Sequence, residues 1–117
     1  MSYKPNTIAI DLSALIHNLG QIKALVARGT RIMGIVKSDA YGHGLLPVSK
    51  TLEKNNIDCL GVTHLYEALE LRKNGIRIPI VILSGIRTKD EAREVVDKGL
   101  TPVLYDSTVA EILARES

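Results

Sequence analysis

The apolar residues of this chain alternate between helical stripes and short unbroken runs. From Leu12 they recur at positions 12, 15, 16, 19, 22, 25 and 26, the period of one helix face, and Gly29 marks its exit. Runs at 31–37, 59–63, 79–83 and 101–104 are apolar almost throughout, as strands are when both faces of a sheet are covered. We therefore predict an extended lead-in over 7–11, a helix from Leu12, and four strands.

The segments between these runs carry helix start and stop signals. A helix is predicted over Leu45–Lys54, where Pro47 lies in the first turn and its missing N–H does no harm. Further helices are predicted over 64–74, from a Thr88 cap to residue 98, and from a cap at residue 106 or 107 to about residue 115. The alternation predicts βα units and a parallel sheet.

Two α/β architectures fit this alternation: a doubly wound open sheet and a TIM (β/α)₈ barrel. A full barrel needs roughly 250 residues, so four βα units would form about half of one. Gly42-His43-Gly44 lacks the third glycine of a dinucleotide-binding loop, and the chain has no Walker A string. The last apolar stripe also has no stop signal, so we expect the N-terminal part of a longer protein.

Composition narrows the class of protein further. The 117 residues are 45% hydrophobic, enough to bury the core of one domain. With 15 basic and 13 acidic residues, the net charge of +2 gives no reason to expect binding to nucleic acid or to a membrane surface. The single cysteine, Cys59, favours a reducing compartment. We expect a soluble cytoplasmic protein.

The candidate chemistry lies at Lys37, at the end of the first apolar run. A lysine at the carboxyl end of a buried strand is placed where α/β proteins put reactive groups, and desolvation would lower its pKa and free the neutral amine that a Schiff base requires. The next residues include Tyr41, with its hydroxyl, and two glycines, Gly42 and Gly44, which allow close approach of backbone to a ligand. Strand alternation places Ile35 on the same face as Lys37.

The string Val36-Lys37-Ser38-Asp39-Ala40-Tyr41-Gly42-His43-Gly44 closely resembles the pyridoxal-phosphate lysine motif of the alanine racemase family. The resemblance continues through Ile10–Leu15, Leu60-Gly61-Val62, Ile78–Leu83 and Leu100–Tyr105. It implies residues 1–117 are the N-terminal part of a pyridoxal-phosphate-binding barrel domain, without the rest of the barrel and without a C-terminal β-domain.

The resemblance also implies a reaction and a set of site residues. The reaction is the interconversion of L-alanine and D-alanine, which supplies D-alanine for cell-wall peptidoglycan, and the cofactor is pyridoxal 5'-phosphate. Lys37 resembles the lysine that bonds the cofactor and serves as the base on one face of the substrate, and Tyr41 resembles the tyrosine that binds its phosphate. Ile35 and Leu83 are expected beside the cofactor, although on energetic grounds a plain core position is the better explanation of both. The opposite-face base, a tyrosine of the partner subunit, and an arginine at the pyridine nitrogen are expected beyond residue 117.

Other polar residues give weaker signals. His43 has no paired carboxylate or nucleophile, and Asp39 is expected to form a turn or a cap. No group of cysteine and histidine residues has metal-ligand spacing. The polar residues of the third predicted helix are expected on a solvated face; they are Glu67, Glu70, Arg72 and Lys73.

Two alternatives and one expectation about assembly stay open at this point. The parent protein could be a related barrel racemase acting on serine, lysine or a broad set of amino acids. The chain could instead be a non-catalytic fragment that binds pyridoxal phosphate alone. Four parallel strands cut from a closed barrel would expose two unpaired edges, so we expect a homodimer or other self-association.

Overall fold

A computed structural model describes residues 11–36, 44–105 and 107–116, and within them strands and helices alternate as the apolar pattern predicts. The elements, in chain order, are α1 (Leu12–Leu25), β1 (Met33–Ile35), α2 (Leu45–Lys54), β2 (Cys59–Val62), α3 (Leu65–Lys73), β3 (Ile80–Ile82), α4 (Lys89–Asp97), β4 (Thr101–Pro102) and α5 (Ser107–Glu116). The prediction for α2 is confirmed at both ends. The lead-in predicted over 7–11 lies, except for Asp11, outside the described residues.

The four strands form one parallel sheet in the order β1-β2-β3-β4, which confirms the predicted fold class. Each strand is shorter than the apolar run that predicts it. The apolar run extends beyond the residues that pair with a neighbouring strand, and only the paired residues form the strand. Around β1, for example, the hydrogen bonds reach from the carbonyl of Ile32, which accepts from Cys59 N, to the amide of Val36, which donates to Gly61 O.

The sheet has one covered face and one open face within the described part of the chain. Side chains on the covered face pack under the helices and are fully buried; they include Leu60, Val62, Ile80 and Ile82. Met33 and Ile35 belong to the other face and are 39% and 41% exposed. The unbroken apolar runs follow from this arrangement, because both faces of each strand carry apolar residues.

Helix boundaries are set by specific caps. The Asp11 carboxylate accepts a hydrogen bond from Ala14 N at 3.0 Å and begins α1. Thr88 and Glu91 form a reciprocal capping box at the start of α4, in which Thr88 Oγ1 accepts from Glu91 N and the Glu91 carboxylate accepts from Thr88 N. Such caps satisfy backbone donors that the first helical turn leaves unpaired.

The prediction that the polar residues of α3 form a solvated face is wrong for two of the four. Glu67 is 4% exposed, and its Oε1 atom accepts hydrogen bonds from the amides of Thr63 and His64, both at 3.0 Å. The Arg72 guanidinium donates to backbone carbonyls of the loops that follow α3 and α4. Both side chains therefore bind backbone, while Glu70 and Lys73 are exposed as predicted.

Candidate functional site

The carboxyl ends of the strands meet at one edge of the sheet, where α/β proteins place their ligands. Backbone hydrogen bonds define this edge: Val36 N donates to Gly61 O at 2.8 Å, and Leu83 N donates to Val62 O at 2.7 Å. Val103 N donates to Ile82 O at 3.0 Å and brings in β4. These bonds join the ends of all four strands into one continuous edge, and this is the edge at which the sequence predicts the site.

Lys37 and Tyr41 lie outside the described residues, and so do Asp39 and His43. Their roles stay predictions. The described backbone leads to them from Val36, which occupies the carboxyl edge of β1 and is itself buried on the helix-covered side.

Ile35 and Leu83 are both described and both lie at this edge. Ile35 is the last residue of β1 and pairs in register with Gly61 of β2. Leu83 follows β3, two strands away, and is half-buried. By strand alternation it shares the open face with Val81, which pairs with Gly61. Their predicted contact with a cofactor stays a prediction, but both occupy the face and the edge that such a contact needs.

Gly61 is buried beneath two side chains of β1 on the open face. A Cβ atom built on Gly61 would lie 2.8 Å from Met33 Sδ and 2.9 Å from Ile35 Cδ1, so both neighbouring side chains occupy the space that any larger residue would fill. Met33 and Ile35 therefore cover Gly61 with apolar surface, and both are partly exposed on the open face. A glycine inside the apolar run 59–63 was the sequence signal for this close approach.

Tyr105 is a second residue of the edge that the sequence did not single out. Its hydroxyl donates to the carbonyl oxygen of Leu83, and its ring lies against Gly85, where a built Cβ would be 3.2 Å from the ring and 2.6 Å from Val103 O. Gly85 has a φ of 73°, which favours glycine. Tyr105 thus ties the end of β4 to the end of β3.

Two open clefts adjoin this edge. One, of about 350 Å³, is lined by Ser84, Ile86, Arg87, Tyr105 and Val109. The other, of about 470 Å³, lies between the loop after β3 and the start of α3, where the rings of His64 and Tyr66 stack at 5.6 Å. Both clefts mix apolar and polar side chains, as small-molecule sites do.

The pKa of the Cys59 thiol, on β2, is shifted by its surroundings. Burial raises the pKa of the Cys59 thiol, the Asp58 carboxylate raises it further, and Arg31 acts in the opposite direction. Cys59 is not in a disulfide.

In the ranges 11–36, 44–105 and 107–116, no group of histidine, cysteine or acidic residues could hold a metal ion, and no helix is long and apolar enough to cross a membrane.

Comparison with known proteins agrees with this geometry. The family model "Alanine racemase, N-terminal domain" matches residues 10–117. Alanine racemase 1 of Caldanaerobacter subterraneus subsp. tengcongensis is 41% identical over 114 residues, which cover 97% of this chain and 29% of that protein. The alanine racemase of Syntrophobacter fumaroxidans is 44% identical over 98 residues, which cover 84% of this chain and 26% of that protein.

Solved structures give the same result. The alanine racemase of Clostridium difficile 630 in complex with cycloserine superposes with a TM-score of 0.85 at 36% identity, over 92% of this chain and 29% of that chain. The alanine racemase of Bacillus anthracis with bound L-Ala-P superposes with a TM-score of 0.84 at 27% identity, over 99% of this chain and 30% of that chain. The chain thus spans less than a third of the length of these relatives.

Proposed function

Because the chain belongs to the alanine racemase N-terminal domain family, we propose that its protein interconverts L-alanine and D-alanine with pyridoxal phosphate. The observation that carries this proposal is the open apolar edge that the β1 backbone reaches immediately before Lys37. When bound, the cofactor would delocalise the electron pair left on the substrate Cα after proton removal. The protein must then supply the groups that hold the cofactor and move the proton.

We assign these tasks to this chain's own residues as follows. Lys37 would hold the cofactor through its Nζ atom and carry the proton on one face of the substrate. The Tyr41 hydroxyl would donate to the phosphate. Ile35 and Leu83, at the ends of β1 and β3, would offer apolar surface to the ring and exclude water from it. The apolar surface of Ile35, which packs over Gly61 and is 41% exposed on the open face, supports this assignment.

Lys37→Ala tests the proposal directly. We expect the variant to lose the absorbance band of bound pyridoxal phosphate and to lose about 10²–10⁴-fold in racemisation rate, with unchanged circular dichroism. The matched control is Lys50→Ala, because Lys50 is an exposed lysine in the middle of α2 and not at a strand end. Conversion of L-alanine to D-alanine is measured by chiral chromatography. A Lys37→Ala protein that still binds and turns over like wild type would refute the assignment.

Substrate choice is tested in the same assay. Racemisation of serine or lysine faster than alanine would favour the related-racemase alternative. Cofactor binding without turnover of any amino acid would favour a fragment that captures cofactor alone, as expected if the opposite-face base and the pyridine-nitrogen contact come from beyond residue 117.

We also propose that the protein self-associates and works in the cytoplasm. Within the described residues, β1 and β4 each have a single strand neighbour, so each leaves one edge unpaired, and Met33 and Ile35 on the open face are exposed. Free Cys59 suits a reducing compartment. Sedimentation at low micromolar concentration tests the assembly, and a stable monomer with a cooperative thermal transition would contradict it.

A further inference from the structure

Gly61 lies in the row of residues that crosses the sheet beside the candidate site. In this row Ile35 pairs with Gly61, Gly61 pairs with Val81, and Val81 pairs with Thr101. The carbonyl of Gly61 also accepts the hydrogen bond from Val36 N that ends the ladder of β1. Gly61 therefore pairs with Ile35 and accepts a hydrogen bond from Val36, the last described residue before Lys37.

The side chains of Met33 and Ile35 lie across β2 above Gly61. Met33 Sδ, Met33 Cγ and Ile35 Cδ1 are 2.8, 3.5 and 2.9 Å from the place where a Cβ of residue 61 would stand. Real Cβ atoms essentially never come within 3.0 Å of a neighbour, so any side chain at position 61 would push these two away. The atoms to be displaced are the ends of flexible side chains, so the backbone need not move.

We propose that Gly61 is a positioning residue: its lack of a side chain lets Met33 and Ile35 pack directly over β2, which sets the height of the apolar surface that Ile35 presents at the carboxyl edge of the open face. The inference rests on the proposed function, because it concerns the site of pyridoxal phosphate. It assigns to Gly61 no contact with the reacting atoms. Gly61 would act through Ile35, which the cofactor would contact.

The chain provides a matched control in the adjacent strand. Gly34 of β1 pairs with Leu60, and a Cβ built on it would lie 2.8 Å from Ile57 Cδ1 and 2.9 Å from Leu52 Cδ1. These distances nearly equal those at Gly61, but the atoms belong to the buried core under α2, on the opposite face of the sheet. Gly34→Ala therefore introduces the same crowding away from the site.

The test compares Gly61→Ala and Gly34→Ala in the intact gene product. The dissociation constant of pyridoxal phosphate is measured by fluorescence titration, the band of the bound cofactor by absorbance, and the melting temperature without cofactor. We expect Gly61→Ala to weaken cofactor binding on the order of tenfold and to shift the absorbance band. Gly34→Ala should lower the melting temperature by about 3 °C or more and leave cofactor binding within about twofold of wild type.

Ile35→Val adds an independent variant that should fold even where Gly61→Ala does not. Valine lacks the Cδ1 atom that covers Gly61, so this apolar surface is lowered and cofactor binding should weaken by about threefold. In the double variant Gly61→Ala/Ile35→Val, the smaller residue 35 makes room for the new methyl group. We expect it to bind cofactor more tightly than Gly61→Ala.

Three results would overturn the inference. The first is wild-type cofactor binding in both Gly61→Ala and Ile35→Val. The second is equal weakening by Gly61→Ala and Gly34→Ala, which would mean a general loss of stability. The third is a wild-type protein that binds no pyridoxal phosphate, or that binds it equally well after Lys37→Ala. This third result would refute the proposed function as well, whereas the first two results would refute only the role of Gly61.

Discussion

Arg72 is predicted to be the most consequential polar side chain for stability among those described. Its guanidinium donates to four backbone carbonyls: to Ile76 O at 2.9 Å, Ile78 O at 2.8 Å, Lys98 O at 2.9 Å and Gly99 O at 3.1 Å. The first two precede β3 and the last two precede β4. One side chain of α3 therefore fixes the entry of two strands. Burial lowers the pKa of the guanidinium and the Glu53 carboxylate opposes this shift, but arginine stays charged at any working pH.

The magnitude of the loss on Arg72→Ala follows from the partners. A net contribution of about 1.5 kcal/mol is typical for a hydrogen bond to a charged group, and the bonds to Ile76 O and Ile78 O are partly buried. The bonds to Lys98 O and Gly99 O are exposed and contribute about 0.5 kcal/mol each. Fixing the long side chain costs about 1.5 kcal/mol of rotamer entropy. We therefore expect Arg72→Ala to lower the free energy of unfolding by about 2.5 kcal/mol.

Urea denaturation followed by circular dichroism measures this loss. With a slope of about 1.5 kcal/mol per molar urea, the midpoint should fall by about 1.7 M. Lys73→Ala is the control, since Lys73 is the next residue of the same helix and is exposed, and its effect should stay within about 0.5 kcal/mol. Arg72→Lys keeps the charge but loses the forked geometry, so it should recover less than half of the loss. An Arg72→Ala midpoint equal to that of Lys73→Ala would refute the reasoning.

Three further predictions concern single side chains. Glu67→Ala should lower the free energy of unfolding in urea by about 2 kcal/mol, because the amides of Thr63 and His64, just before α3, lose their buried acceptor. Glu67→Gln should cost less, and equal costs would show that the acceptor does not matter. Ser49→Ala should leave the melting temperature unchanged or raise it, since Ser49 Oγ is fully buried and has no hydrogen-bond partner among the described residues; a clear fall would contradict this. Because the pKa of the Cys59 thiol is raised, a smaller fraction of it is thiolate at a given pH in the folded protein. At pH 8, iodoacetamide should therefore modify Cys59 more slowly in the folded protein than in the urea-unfolded protein, and this difference should shrink as the pH rises above the folded-state pKa.

The regular elements could be predicted from the sequence because their signals are local. The stripe from Leu12 and the Pro47 helix depend on residues within a few turns of one another, and both helices form where predicted. The parallel order also followed from the βα alternation. Strand ends were overestimated, because a ladder ends where its partner does, and the apolar run alone does not reveal that point.

The two helix residues that the sequence misassigned owe their partners or their burial to tertiary packing. Arg72 lies among charged residues typical of a solvated helix face, but its side chain donates to the carbonyl of Lys98, 26 residues later in the chain. Glu67 was misassigned for a different reason, since the amides it accepts from lie three and four residues earlier, but burial of the carboxylate depends on how α3 packs. Of the predicted site residues, Ile35 and Leu83 lie at the carboxyl edge, whereas the close packing over Gly61 depends on side chains of the neighbouring strand and has no local signal beyond the glycine itself.

The strand order has a consequence for how the chain folds. Each strand pairs with the strand before it in sequence: Met33 with Cys59, 26 residues on, and Leu60 with Ile80 and Val81 with Thr101, each 20 residues on. The loops closed by these pairings are short for a parallel sheet, so the entropy cost of each addition is modest and nearly constant. During synthesis, every new strand emerges after its partner, and the sheet can grow one βα unit at a time from the amino terminus.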